Sequence, residues 1–288
     1  MKAVVELDGG AAKEELAAFA RKSGALVVGV ASAAGFGDVP PGQAPGDLLP
    51  KANSVVVVGG APPRAGDWAC PIPEHTETMG TGDRINSLAL KVAKFIEERF
   101  GYYALYVPPG VNKGNRPFLS IALAAERAGC GSRSLAGPVL NAGHGFMFYS
   151  AVVTTLPLPP DAPVEPPVCP APACVEQWES EGSTPCTAAC PIDDGGCIGG
   201  TIAGGRLRER RFDAARCTSR VHTYWVPGFQ KTLAAALDEP DKDQRKMILY
   251  GSFFTRTLWA MTYSGQSQAQ CLECMRVCPA GGALRQLR

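Results

Sequence analysis

The feature that most constrains this chain is its eleven cysteines and where they fall. Only Cys70 and Cys130 lie in the first 168 residues, and the other nine lie between Cys169 and Cys278. A disulfide scaffold belongs to short exported chains. This chain has 288 residues and an odd cysteine count. Its N-terminus, MKAVVELDGGAAKEELAAF, has no basic stretch leading into an apolar one. The expectation is a cytoplasmic protein whose C-terminal part binds metal. Hydrophobic residues make up 45% and charged residues 19%, enough apolar material for a core. A net charge of +1 gives no broad electrostatic footprint for nucleic acid or an anionic membrane. No apolar run reaches the roughly 18 residues of a membrane span.

The first half reads as mixed α and β. Residues 11–23 carry apolar positions at helical spacing. The runs ALVVGVA (25–31) and SVVVVGG (54–60) predict short buried strands. A helix from about Arg84 to Phe100, with Asp83 as its cap, has an apolar stripe through Ile85, Leu88, Val92 and Phe95/Ile96, and Gly101 suits its stop. YYALYVP predicts a further strand, Phe118–Ala128 a helix ending at Gly129, and residues 146–158 a final strand. LPLPPDAPVEPPVCPAP, between Leu156 and Pro172, is too rich in proline for helix interior or central strand. It predicts an extended connector between a domain at 1–160 and one at 161–288. In the second, residues 242–263 read as a long helix.

Two segments carry the metal signal: Cys186-Thr-Ala-Ala-Cys190-Pro191, and Cys271-Leu-Glu-Cys274-Met-Arg-Val-Cys278-Pro279. The second matches C-x2-C-x3-C-P, the end of the bacterial ferredoxin run, whose last cysteine ligates the other of two clusters. Closely spaced thiolates on a tight turn reach separate irons of one cubane. The last is turned away by a starting helix, where proline fits. Soft thiolates select iron–sulfur clusters or zinc over hard cations. Two [4Fe–4S] clusters need eight thiolates. The spacing predicts one set of Cys169, Cys174, Cys186 and Cys278, and another of Cys190, Cys217, Cys271 and Cys274. Ser180 and Ser183 stand where the ferredoxin run has two cysteines before Cys186, so Cys169 and Cys174 reach in through a longer loop. Cys197 competes for either set. Zinc, or buried free thiols, is the alternative for the eight. Cys70 and Cys130 read as small buried hydrophobes.

FDAARC (212–217), followed by a helical stretch and CLECMRVCP, resembles the double-cluster domain of the cobalamin-dependent iron–sulfur reductases, the epoxyqueuosine reductases and reductive dehalogenases. Upstream, DRINSLALKVAKFIEERFGYYA, ALAAERAGCGSRSL and YSAVVTTLPLPPD resemble parts of their corrinoid-binding domain. The resemblance implies an α+β protein: a nitroreductase-like corrinoid-binding domain followed by a ferredoxin-like double-cluster domain. It implies a cobalamin or other corrinoid held base-off beside the nearer cluster. Two departures stand out. Asn115 occupies the place of an acidic proton donor, and an amide cannot supply that proton. Ser134-Leu135-Ala136 replaces the family's Gly-Lys-Asn. The helical-repeat tail of the one group and the twin-arginine signal of the other are not found, so neither named activity carries over directly.

Within the first domain, Gly129, Gly131, Gly143 and Gly145 offer backbone that can approach a flat ring closely. Tyr149 is a candidate for the same wall. Asn115, His144 and Tyr103 are candidates for contact with the reacting centre, with Tyr102 and Tyr106 as weaker ones. For His144 a surface-loop role is the alternative, for the tyrosines strand packing. His75 reads as loop and His222 as packing or capping. GVASAAGFG is no dinucleotide fingerprint. The functional expectation is an oxidoreductase, in which two clusters deliver electrons to a corrinoid that reduces a small substrate. The alternatives are a corrinoid-handling protein whose substrate is the corrin, a two-cluster electron carrier, and a flavin enzyme on the same type of fold. The implied partners are a low-potential donor such as ferredoxin or flavodoxin and a small-molecule or corrinoid substrate, with no nucleic acid and no membrane span.

Overall fold

The computed structural model describes residues 8–71, 83–107, 117–193, 195–213, 216–217, 225–263 and 271–285. Its centre is a four-stranded antiparallel sheet in the order β1-β2-β7-β3, formed by β1 (Val27–Ser32), β2 (Ser54–Gly60), β3 (Ala104–Tyr106) and β7 (Phe148–Thr154). All seven residues of β2 are buried, because the strand is central and covered on both faces.

The two-residue period of a strand divides the valines between two cores. Val56, Val58 and Val152 face helices α1 (Gly9–Lys22) and α2 (Asp83–Phe100), whose Leu16, Leu88, Val92 and Ile96 lie against them. Val55, Val57, Ala151 and Val153 face helix α3 (Ile121–Arg127), Phe36 and Cys130. The α2 stripe read from the sequence is the buried one, and Gly101 ends the helix at φ 73°. Full burial of a Val, Leu or Ile side chain stabilises by about 1.5–3 kcal/mol. Burial on both faces of this sheet therefore contributes substantially to the stability of the first half. A small antiparallel sheet follows, made of β4 (Ser132–Arg133), β5 (Val139–Asn141) and β6 (Gly145–Phe146).

The proline-rich connector forms neither helix nor strand between β7 and residue 171, and it is not free at its start. Leu156 and Leu158 are buried in the first core, both fastened to the Ser54 hydroxyl. The Asp161 carboxylate accepts the Val30 N–H at 2.9 Å and pairs with Lys13 at 2.6 Å. The chain then forms helix α4 (Pro172–Glu181), hairpin β8 (Ile198–Ala203)–β9 (Arg206–Phe212), and helices α5 (Trp225–Asp238), α6 (Lys242–Tyr250) and α7 (Ser252–Tyr263). The hairpin turns at Gly204-Gly205, both at positive φ (57° and 68°), the conformation a two-residue hairpin loop needs. The long helix expected over 242–263 is two helices. Gly251 adopts an extended backbone with ψ 156° between them. Among the described residues no helix is long and apolar enough to cross a membrane.

Candidate metal and cofactor site

A third core straddles the connector. From before it come Trp68, Leu135, Ala136, Leu140 and Phe146, and from after it Cys197, Ile198, Cys217, Leu272 and Met275. All eight predicted cluster cysteines border or join this region except Cys174, which is buried on α4.

The thiols fall into two groups. Cys169 lies within electrostatic reach of Cys278, Cys186 and Cys174, and Cys174 of Cys278 and Cys186. Cys217 lies within reach of Cys271 and Cys190 and meets Cys197. Cys274 stands between the groups, within reach of Cys186 on one side and of Cys217, Cys271 and Cys197 on the other. The neighbourhoods also cross between the two sets, since Cys186 lies within reach of Cys190 as well as of Cys274, and Cys197 joins the second. Burial pushes the Cys169 and Cys217 thiols up to about 11 and the Cys274 thiol higher still. Thiolates so withdrawn from water need a cation beside them. An all-sulfur donor set suits iron–sulfur or zinc. Among the described residues, however, no three His, Cys, Asp or Glu side chains converge on a point that could hold a single metal ion.

Local structure sets each thiol. Thr184 caps the short helix Pro185–Ala188, and its hydroxyl lies 3.2 Å from Cys186 Sγ. Leu135 N–H donates to Cys169 Sγ at 3.4 Å, reaching across from before the connector. Cys274 sits on the one-turn helix Glu273–Arg276, held down by fully buried Met275. Two arginines that sequence reading passed over clamp this end. Arg276 pairs with Glu273 at 3.0 Å and donates to the Trp68 and Cys70 carbonyls. Arg285 donates to the carbonyls of Arg276 (2.8 Å) and Ala280 (2.9 Å), lies over the Trp68 ring, and bears on the Cys278 thiol. Their partners are far away in sequence, so no motif signals them.

A cavity of about 610 Å³ runs from the second thiol group to the four-stranded sheet. Cys197, Cys217, Cys271 and Cys274 wall one side; Ile121, Met147, Phe148 and Tyr149 wall the other; Arg133 and Arg210 also line it. Apolar walls with a few polar anchors are the make-up of a small-molecule or cofactor site. Tyr149 lines this cavity. Its hydroxyl donates to the Cys130 carbonyl at 3.4 Å, and burial pushes the phenol up, so it stays neutral. Cys130 is fully buried, its thiol raised to about 12 by burial.

Other candidates are placed differently. Tyr103 is 72% exposed at the sheet edge, outside this cavity, because its backbone pairs with Thr155 and directs the ring to solvent. Tyr102 and Tyr106 pack on the first core. His144 lines a separate cavity, also about 610 Å³, with Arg64, Asp67, Trp68 and Arg285. The close approach read into the glycines is real, but its partner is protein. A Cβ on Gly129 would strike the Ala162 carbonyl, one on Gly131 the Leu140 carbonyl, and one on Gly145 the Ala280 carbonyl. Gly143 is exposed and has no such neighbour. The thiols that wall the cavity are those of the second group. Asn115, His75 and His222 lie outside the described residues.

No family model matches the sequence, and no curated protein matches it. Solved structures do. An epoxyqueuosine reductase with an epoxyqueuosine-modified tRNA-Tyr stem loop is 18% identical, with TM-score 0.53, over 96% of this chain and 67% of that one. The chain has the fold of these reductases. The Bacillus subtilis epoxyqueuosine reductase, with its catalytic loop swung out of the active site, gives 19% identity and TM-score 0.52 over 95% of this chain and 66% of its own. A reductive dehalogenase linked to B12-dependent dehalogenation gives 17% identity and TM-score 0.51 over 95% of this chain. This chain spans only 38% of that dehalogenase. At these identities the likeness is one of fold, and it falls on the same group that the cysteine motif resembles.

Proposed function

We propose that the protein is a corrinoid-dependent iron–sulfur reductase built from a cofactor-binding domain (1–160) and a double-cluster domain (161–288). In this reading Cys169, Cys174, Cys186 and Cys278 hold one [4Fe–4S] cluster. Cys217, Cys271, Cys274 and a fourth thiol from Cys190 hold the other. A base-off cobalamin, or another corrinoid, lies between the second group and Tyr149. The single observation that carries the reading is the cavity itself. It has cluster-type thiols on one wall and an apolar sheet face on the other, in a fold shared with epoxyqueuosine reductases and reductive dehalogenases.

The motif spacing favours clusters over zinc, since two segments end in C-x3-C-P, the close of the ferredoxin run, and only one pair has the Cys-x2-Cys spacing typical of zinc sites. Cys274 stands between the two groups, which gives electrons a short buried route. Bound together, the clusters supply electrons and the corrinoid supplies the reductive chemistry on a small substrate. The chain's own part is to exclude water through Ile121, Met147 and Phe148, and to offer the guanidiniums of Arg133 and Arg210 to polar groups of the ligand. It also holds the Tyr149 phenol neutral beside that space. A low-potential ferredoxin or flavodoxin fits as donor.

The test is anaerobic purification followed by iron, acid-labile sulfide and cobalt analysis and a corrinoid-binding titration under reducing conditions. About eight irons per chain and tight corrinoid binding are expected. Zinc, or four irons, refutes the two-cluster site. Eight irons with no corrinoid binding leaves an electron carrier. Binding and reduction of the corrinoid with no turnover of an added substrate makes the corrin the substrate, the reading that Asn115 favours.

A further inference from the structure

Nine cysteines follow Val168, and two four-thiol sets use eight of them. The ninth, Cys197, is not a bystander in the core. It is buried, and it walls the cavity beside Cys217, Cys271 and Cys274, a wall to which Cys190 does not contribute. Cys190 stands just behind. The two Sγ atoms are 3.4 Å apart, and the Cys197 N–H donates to Cys190 Sγ at 3.2 Å.

The fold builds this juxtaposition. Gly195 and Gly196 turn the chain back at φ 88° and 69°. A Cβ on Gly196 would lie 3.2 Å from Cys190 Sγ, so only glycine lets the loop close this tightly. Ile198 then enters β8 buried, and the Asp213 N–H donates to the Cys197 carbonyl at 2.8 Å, tying Cys197 to the segment that carries Cys217.

We infer that the fourth iron of the second cluster is served by a pair of interchangeable thiols, Cys190 and Cys197, 3.4 Å apart. This rests on the cluster reading above. In an exchange one Fe–S bond breaks as another forms, and the proton of the incoming thiol passes to the departing thiolate. No electron is gained or lost. The pair lets the cluster keep four protein ligands when one thiol of the two is lost or alkylated.

The experiment compares wild type, Cys190→Ala, Cys197→Ala and the double variant, purified anaerobically. Iron and sulfide are counted, and the reduced clusters are read by EPR. Wild type must first hold about eight irons; if it does not, the cluster reading fails independently of the pair. Each single variant should keep about eight irons, and the Cys197 and Cys190 variants should differ in one of the two cluster signals. The double variant should fall to about four or fewer, with four retained in the first set reporting an intact fold. A drop to about four in either single variant makes that cysteine the sole ligand and overturns the inference. Eight irons in the double variant overturns it as well.

Discussion

Gly145→Ala tests the contact that seats the cysteine-rich region on the first half. Gly145 has φ 65°, and a Cβ there would lie 2.5 Å from the Ala280 carbonyl oxygen and 3.0 Å from Gly281 Cα. Neither neighbour is a side chain that can swing away. Ala280 follows Cys278-Pro279, and Arg285 holds its carbonyl at 2.9 Å. An alanine forced into the left-handed region costs about 1–2 kcal/mol, and overpacking against rigid backbone adds about 1–3 kcal/mol. The sum is roughly 2–5 kcal/mol. For a chain of this size that lowers the melting temperature by roughly 4–20 °C, at about 2–4 °C per kcal/mol. The assay is thermal unfolding of the metal-loaded protein, followed by circular dichroism and by the iron released. Gly143→Ala is the matched control. It lies two residues away on the exposed part of the same loop, and its added Cβ would meet only Asn141 Oδ1 at 3.5 Å. Its melting temperature should stay within about 2 °C of wild type, or rise slightly as the unfolded chain loses freedom. If the two variants melt together, Gly145 does not lie against Ala280, and the docking of the cysteine-rich region described above is wrong.

Cys130 and Asp161 each carry a testable outcome. Cys130, fully buried with its thiol raised to about 12, should have a thiolate fraction near 10⁻⁴ at pH 8 against about a quarter for a solvated thiol. Iodoacetamide at pH 8 followed by peptide mass spectrometry should therefore leave Cys130 unlabelled until the chain is denatured; labelling at a rate like that of half-buried Cys70 refutes the packing of the second core. The sign for stability is the same, since the unfolded thiol ionises first and raising the pH from about 9 to 12 favours unfolding through this group. Asp161→Ala removes the carboxylate that joins the Val30 N–H to Lys13 and should lower the unfolding free energy by about 1–3 kcal/mol in urea, an unchanged midpoint showing that the connector is not held there.

The legible parts of the sequence are those that local physics controls. SVVVVGG is a strand because a run of β-branched residues between turns suits a pleated, doubly covered ribbon, and β2 occupies those residues, 54–60. The stripe Ile85, Leu88, Val92, Ile96 is buried because helical spacing puts those residues on one face. The β8–β9 hairpin was legible too, in Ala-Gly-Gly-Arg, a two-glycine turn that the sequence reading passed over. Residues 242–263 carry enough apolar spacing to read as one helix, and only the packed chain breaks it at Gly251.

At the site the division is sharper. Motif spacing marks Cys186, Cys190, Cys271, Cys274 and Cys278, because short loops restrict which neighbouring thiols can share a cluster. It cannot say that Cys197, from the turn before β8, lies 3.4 Å from Cys190, because that depends on a loop closing through two left-handed glycines. The glycines at 129, 131 and 145 announce close backbone approach from their residue type alone. What approaches them is Ala162, Leu140 and Ala280, and no local rule names those partners. Nor does any local rule send Tyr103 to solvent and Tyr149 to the cavity. Propensity and spacing act over a few residues. The arginine clamp of Arg276 and Arg285 on Trp68, and the meeting of the second thiol group with the sheet, join segments up to about two hundred residues apart, and only the packed chain brings them together.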